Sequence, residues 1–83
     1  MEIINHASLP IYHLYISNVD ADMWGPDQLG WDQTIAPGRY RVFNVDDGTG
    51  HCRYDFKAVL SDGRYAITHN VNVCTQASWT VTD

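Results

Sequence analysis

Five aspartates in two short stretches carry the clearest chemical potential of the chain. Asp20, Asp22 and Asp27 fall within "NVDADMWGPDQLG" (18–30), and Asp46 and Asp47 open "DDGTG" (46–50). Carboxylates pooled from loops are typical ligands of Ca²⁺, a hard cation that collects oxygens. Written as "DADMWGPDQLGWD", the first stretch has Asp20 and Asp22 at the first and third positions of an EF-hand-like loop and Gly25 at the sixth. Trp24 stands at the fifth, where an oxygen ligand belongs, and Trp31 stands where the bidentate Glu should be. No helical pattern flanks the stretch, so it is not an EF-hand. What stays open is a looser Ca²⁺ site, structural or regulatory, shared between the loops. The competing reading is that each Asp bonds its own backbone as a turn residue, which Asp does well.

Trp24 and Trp31 also have two readings. Aromatic residues beside loops often line a glycan- or peptide-binding surface. Alternatively, Trp24 plugs one end of a core too small to close otherwise, and in a chain of 83 residues the plug weighs more. Leu29, between Gly25 and Gly30, is expected as a second plug.

Catalytic patterns are thin. Ser8, Ser17, Ser61 and Ser78 have no Gly-x-Ser-x-Gly elbow. The Gly48-Thr49-Gly50 run lacks the Lys and helix of a phosphate-cradling loop. A carboxylate pair for glycoside hydrolysis would need cleft walls that a domain this small hardly supplies. His13 and His69 are expected at the surface or the core edge. Asp55 is expected in a cross-strand charge ladder with Arg53 and Lys57, or paired with Arg39 or Arg41. The expectation is a binding module with no catalytic residue, not an enzyme.

Cys52 and Cys74 are the only cysteines. A zinc site would need two more ligands, and His6, His13, His51 and His69 show no finger-like spacing. A redox pair would be C-x-x-C beside a helix. Two free buried thiols in a cytosolic protein stay open as an alternative. The favoured reading is a structural disulfide, worth about 3 kcal/mol for a loop of this size. It would place the chain in an oxidising compartment, secreted or periplasmic.

The elements that must position these groups follow period two, punctuated by turn residues. Expected strands are Glu2–Asn5, Ile11–Ser17, Trp31–Ile35, Arg39–Val45, Cys52–Leu60, Arg64–Val73 and a last one near Ser78–Thr82. Tyr12, Leu14 and Ile16 share one face. So do Cys52, Tyr54, Phe56, Ala58 and Leu60, and on the next strand Tyr65, Ile67, His69, Val71 and Val73. A hairpin centred on Asp62-Gly63 sets Cys52 opposite residue 72 or 73, so a bulge or a strand-end bend must bring Cys74 to it. Six or seven short strands predict one all-β domain over residues 1–83, a small antiparallel β-sandwich or partly closed barrel. An edge left bare could pair two copies.

Ten acidic residues against five basic ones give a net charge of −5. That disfavours nucleic acid and anionic membrane surfaces and leaves cations, basic proteins and neutral ligands, with a protein or a glycan as the expected partner. No stretch approaches the roughly 18 apolar residues of a membrane span, so no membrane insertion is expected. The opening "MEIINHASLP" has neither the basic nor the apolar part of a signal peptide. The cysteines then favour a mature domain whose leader is replaced by Met1.

Taken in order, "LYIS", "WGPDQLG", "APG", "CRYD", "SDG" and "VNVC" form a pattern that resembles a family of small, mostly uncharacterised secreted bacterial proteins. The matching positions are Leu14, Tyr15 and Ser17; Trp24, Gly25, Asp27, Leu29 and Gly30; Pro37 and Gly38; Cys52, Tyr54 and Asp55; Asp62 and Gly63; and Cys74. The resemblance spans about residues 5 to 75. It implies an all-β fold, export and a Cys52–Cys74 bond, and it lends no catalytic residue.

Overall fold

A computed structural model describes residues 1–20, 23–30, 33–45 and 52–83. The fold is all-β, with no helix among the described residues, so no helix there is long and apolar enough to cross a membrane. Among the described residues six strands follow in chain order: β1 (Glu2–Asn5), β2 (Ile11–Asn18), β3 (Tyr40–Val42), β4 (Arg53–Leu60), β5 (Tyr65–Asn72) and β6 (Ser78–Val81). They form two three-stranded sheets, β3-β1-β6 and β2-β4-β5. The predicted sandwich and its single staple are present.

One pairing departs from the antiparallel expectation. β6 lies parallel to β1, with Ile3 opposite Trp79 and Asn5 opposite Val81. This sets the core faces of both strands on the same side, and Ile3, Trp79 and Val81 are all buried. The Trp31–Ile35 strand is also not formed in its described part: Gln33 and Thr34 are irregular, and Ile35 makes an isolated bridge to Ile11. β3 is trimmed to three residues.

β4 alternates as its sequence demands, with Tyr54, Phe56, Ala58 and Leu60 buried and the residues between them more open. Leu14 of β2 joins them in the core. The two layers lock through Phe56 and Trp79, whose rings meet edge to face at 5.2 Å. The Trp79 indole N–H donates to Thr68 Oγ1 on β5 (3.1 Å), so the one polar atom of that ring is satisfied.

Two bulges alter the expected faces. In β2 an extra residue lies between Ile11 and His13. Ile11 and Leu14 therefore both enter the core, and Tyr12 turns outward, away from the face predicted for it. In β5 residues 69 and 70 together oppose Asp55, with Asn70 in the left-handed region at φ 61°. Asn tolerates that conformation better than any residue except Gly. Parity flips there, so Tyr65, Ile67 and His69 face outward whereas Val71 is buried.

The second bulge also decides the staple. The hairpin has a three-residue turn, Ser61-Asp62-Gly63, closed by Leu60 N–H to Arg64 O (2.7 Å) with Gly63 at φ 90°. This turn and the bulge offset one another. Cys52 ends opposite Val73, whose N–H donates to the Cys52 carbonyl (2.8 Å). The Asn72 side chain then accepts the Cys74 N–H (3.0 Å) and curls the chain back. The Cys52–Cys74 disulfide closes across 5.3 Å between Cα atoms.

The only fully buried polar side chain among the described residues is Asn5. Its Nδ2 donates to the carbonyls of Leu9 (2.9 Å) and Ile35 (2.8 Å), and its Oδ1 accepts the Ala7 N–H (2.8 Å). Leucine at this position keeps the branched shape and leaves the Ala7 N–H and the Leu9 carbonyl without their partner, while the Ile35 carbonyl keeps only the Ile11 N–H. Asn5→Leu is expected to lower stability by about 3 kcal/mol or more, read from the urea midpoint. Asn5→Asp, which cannot donate when ionised, should not rescue it at neutral pH. Cys52→Ser with Cys74→Ser is expected to cost about 3 kcal/mol, and the same loss should follow reduction of the unmodified chain.

Candidate binding cleft

The irregular stretch after β2 is tied back to that strand by one carboxylate. Asp27 Oδ1 accepts the N–H groups of Leu14 (2.9 Å) and Leu29 (3.0 Å), and Oδ2 meets His13 Nδ1 at 2.7 Å. Gln28 N–H donates to the Leu14 carbonyl (2.7 Å), which completes the clasp. Leu29 is thereby pressed into the core, as its predicted plug role requires. Burial alone would push the Asp27 carboxyl upward. The two backbone N–H groups and His13 outweigh it and hold the group below its usual range.

Trp24 behaves otherwise. It is half-buried and lies outside the hydrophobic cluster, so it is not the expected plug; Leu29 at this end and Trp79 between the sheets fill that space. The indole stacks on the His69 ring, with centroids 6.5 Å apart and planes at 27°. His69 is aimed there by the β5 bulge and by Asp55. The Asp55 carboxylate accepts the Asn70 N–H (3.0 Å) and lies 3.3 Å from His69 Nδ1. Asp55 therefore serves the bulge and His69 instead of the predicted ladder with the neighbouring basic residues.

Between this stretch, the end of β2 and the segment after β3 lies an open cleft of about 400 Å³. Met23, Trp24, Pro26 and Val45 give it apolar walls, and Ser17, Asn18, Gln28 and Asn44 give it polar ones. No charged side chain lines it among the described residues. The Ser17 hydroxyl donates to the Met23 carbonyl (3.0 Å), so its proton is committed to the loop and not to a base. Such a wall can stack a ring and exchange hydrogen bonds with hydroxyls or amides.

The aspartates fare differently from one another. Asp27 has both oxygens engaged with protein groups, and the Asp20 N–H donates to Asn18 Oδ1 (3.0 Å) as in a turn. Asp22, Asp46 and Asp47, and Trp31 with them, lie outside the described residues. Among the described residues no three His, Cys, Asp or Glu side chains gather as a metal site would need. His69 is the site residue that sequence reasoning missed, because its outward aim depends on the bulge. The signal was Asn70, a residue suited to a left-handed kink within an otherwise alternating strand.

The chain was compared with protein-family models, curated proteins and solved structures, and it matches none of them.

Asp27→Ala strands the Leu14 and Leu29 N–H groups and is expected to cost about 2–3 kcal/mol at pH 7. The depressed native pKa fixes the sign of the pH dependence. The carboxylate's contribution is present above its ordinary range and disappears as pH falls through the lower native value. Urea unfolding of both proteins at pH 7 and near pH 3 should therefore show a gap that narrows on acidification. A gap that persists unchanged would mean that the charge is irrelevant to the clasp.

Proposed function

We propose that the chain is a non-catalytic binding module of an oxidising compartment, secreted or periplasmic, that takes an uncharged ligand in the Trp24 cleft. The observation that carries this reading is Trp24 itself. A large aromatic side chain is kept out of the core, stacked from beneath by His69 and set into a cleft with no charged side chain among its described lining residues. The β5 bulge, Asp55 and His69 all support this half-buried position. A neutral sugar ring fits this chemistry best. Its apolar face stacks on indole, and its hydroxyls suit a polar wall that includes the Gln28 carboxamide. A peptide segment of a partner protein is the other ligand with the same needs.

The compartment follows from the staple. A disulfide that joins the ends of the β4–β5 hairpin persists where thiols are oxidised.

The test is a fluorescence and calorimetric titration of the oxidised chain against neutral cello-, xylo-, malto- and chito-oligosaccharides, with a peptide panel beside them. Saturable binding should be found and should weaken at least tenfold, about 1.4 kcal/mol, in Trp24→Ala. The unfolding midpoint of that variant should stay within about 0.5 kcal/mol of the parent. Undiminished binding by Trp24→Ala would remove the cleft from the function.

A further inference from the structure

β3 is an edge strand whose three residues, Tyr40, Arg41 and Val42, are all exposed, with Tyr40 at 59% and Val42 at 70%. Its inner side is used up by β1. Phe43 N–H donates to Met1 O (2.8 Å) and Asn5 N–H to Arg39 O (2.9 Å). In an antiparallel pair the hydrogen-bonded positions alternate. With Ile3 opposite Arg41, the bonds to β1 fall at residues 39, 41 and 43. The N–H and C=O groups of Tyr40 and Val42 therefore point to the edge that no strand among the described residues covers.

The side chains along this edge alternate in kind. Tyr40 and Val42 lie on the face of Ile4 and Glu2, their partners across the ladder. Arg39 and Arg41 project on the other face and are exposed. They are two of the five basic residues of a chain with net charge −5. Arg41 Nε donates to the Thr34 carbonyl (3.3 Å), and no carboxylate among the described residues pairs with either arginine.

We propose that β3 is a strand-addition site for an extended acidic peptide, whose apolar residues cover Tyr40 and Val42 while its carboxylates meet Arg39 and Arg41. Main-chain bonds to the edge groups supply the docking, and the alternating side chains supply the selection. A second copy of the chain fits worse. Two β3 strands joined about a twofold axis would set arginine against arginine, and like charges directly opposite destabilise a ladder. The surface is separate from the Trp24 cleft, so neither reading depends on the other.

The experiment is an amide NMR titration of the oxidised chain at low salt. The probes are a blocked peptide of alternating Val and Glu and its Val/Lys counterpart. The Tyr40 and Val42 amides should shift and gain exchange protection with the Glu peptide, which should bind about tenfold or more tightly than the Lys peptide. Arg39→Glu with Arg41→Glu should reverse that preference. Val42→Pro removes an edge N–H that β1 does not use and should abolish binding. Should that variant misfold, a Glu peptide N-methylated at alternate residues makes the same test on the parent chain. Equal binding of both peptides, or shifts confined to other residues, would overturn the proposal. So would protection of Tyr40 and Val42 that grows with protein concentration alone, since the occupant would then be a second copy. Trp24→Ala should leave peptide binding unchanged; its loss there would place the peptide in the cleft and end the edge assignment.

Discussion

The fold turns on one buried amide. Asn5 lies at the end of β1, where the chain must leave one sheet, cross residues 6–10 and enter the other at Ile11. Apolar burial drives the layers together, but it is non-directional and does not say where the crossing should run. The Asn5 side chain supplies the direction by holding Leu9, Ile35 and Ala7 at once. Its backbone binds Arg39 O and the Gly38 N–H, which fixes the 36–39 turn to the same point. Ile35, so placed, bridges to Ile11 and starts β2 in register. The end of β1, residues 7–9 and residues 35–39 thus meet at a residue with no exposed surface. Any shift there would leave polar groups unpaired in the core, which is why the arrangement is specific as well as stable.

From Ile11 onward the bulges set which residues are available to a ligand. Strict alternation would have buried Tyr12 and separated Ile11 from Leu14 in facing. The first bulge sends both aliphatic side chains inward and leaves the phenol outside. The second frees His69 to stand under Trp24 while Val71 returns to the core. It also aligns Cys52 with the end of β5, so the staple and the cleft share a cause. Bulges concentrate near functional surfaces because they re-aim side chains without dissolving a strand. The outer row of this sheet shows the effect, with Lys57 Nζ between the rings of Tyr15 and Tyr65 at 5.8 and 5.1 Å.

What could be seen in the sequence follows from the range of the forces involved. β4 was legible because its apolar residues alternate without interruption and its turn carries Asp62-Gly63. The disulfide was legible because the hairpin brings Cys52 and Cys74 near each other by counting. Leu29 was legible through its glycine neighbours. The β1–β6 pairing was not, since parallel partners 76 positions apart, as Glu2 and Ser78 are, leave no local mark. The plug role expected of Trp24 fails for a related reason: composition shows that indoles exist, and only tertiary packing says that Trp79 is the one that meets Phe56. Asp27 was legible as a cation ligand or a turn residue, and its bond to the Leu29 N–H is the turn contact, but its hold on β2 was not legible. Its partners, Leu14 N–H and His13, lie on a strand already complete before the loop begins.

The Asp27 clasp bears on binding through order instead of contact. A loop held only by apolar burial can slide, because one aliphatic contact exchanges for another at little cost. The clasp combines a buried Leu29 with three backbone hydrogen bonds and a short contact to His13. Sliding by one residue would break together the three contacts that reach β2, those of Leu14 N–H, Leu14 O and His13. The wall from Pro26 to Gln28 is therefore set before a ligand arrives, and a ligand need not supply the free energy of ordering it. The same logic explains why a charged carboxylate is spent on scaffolding: it holds the loop and is not among the residues that line the cleft. Its charge strengthens the bonds that shape the cleft, yet it is turned toward β2 and away from the space a ligand would fill.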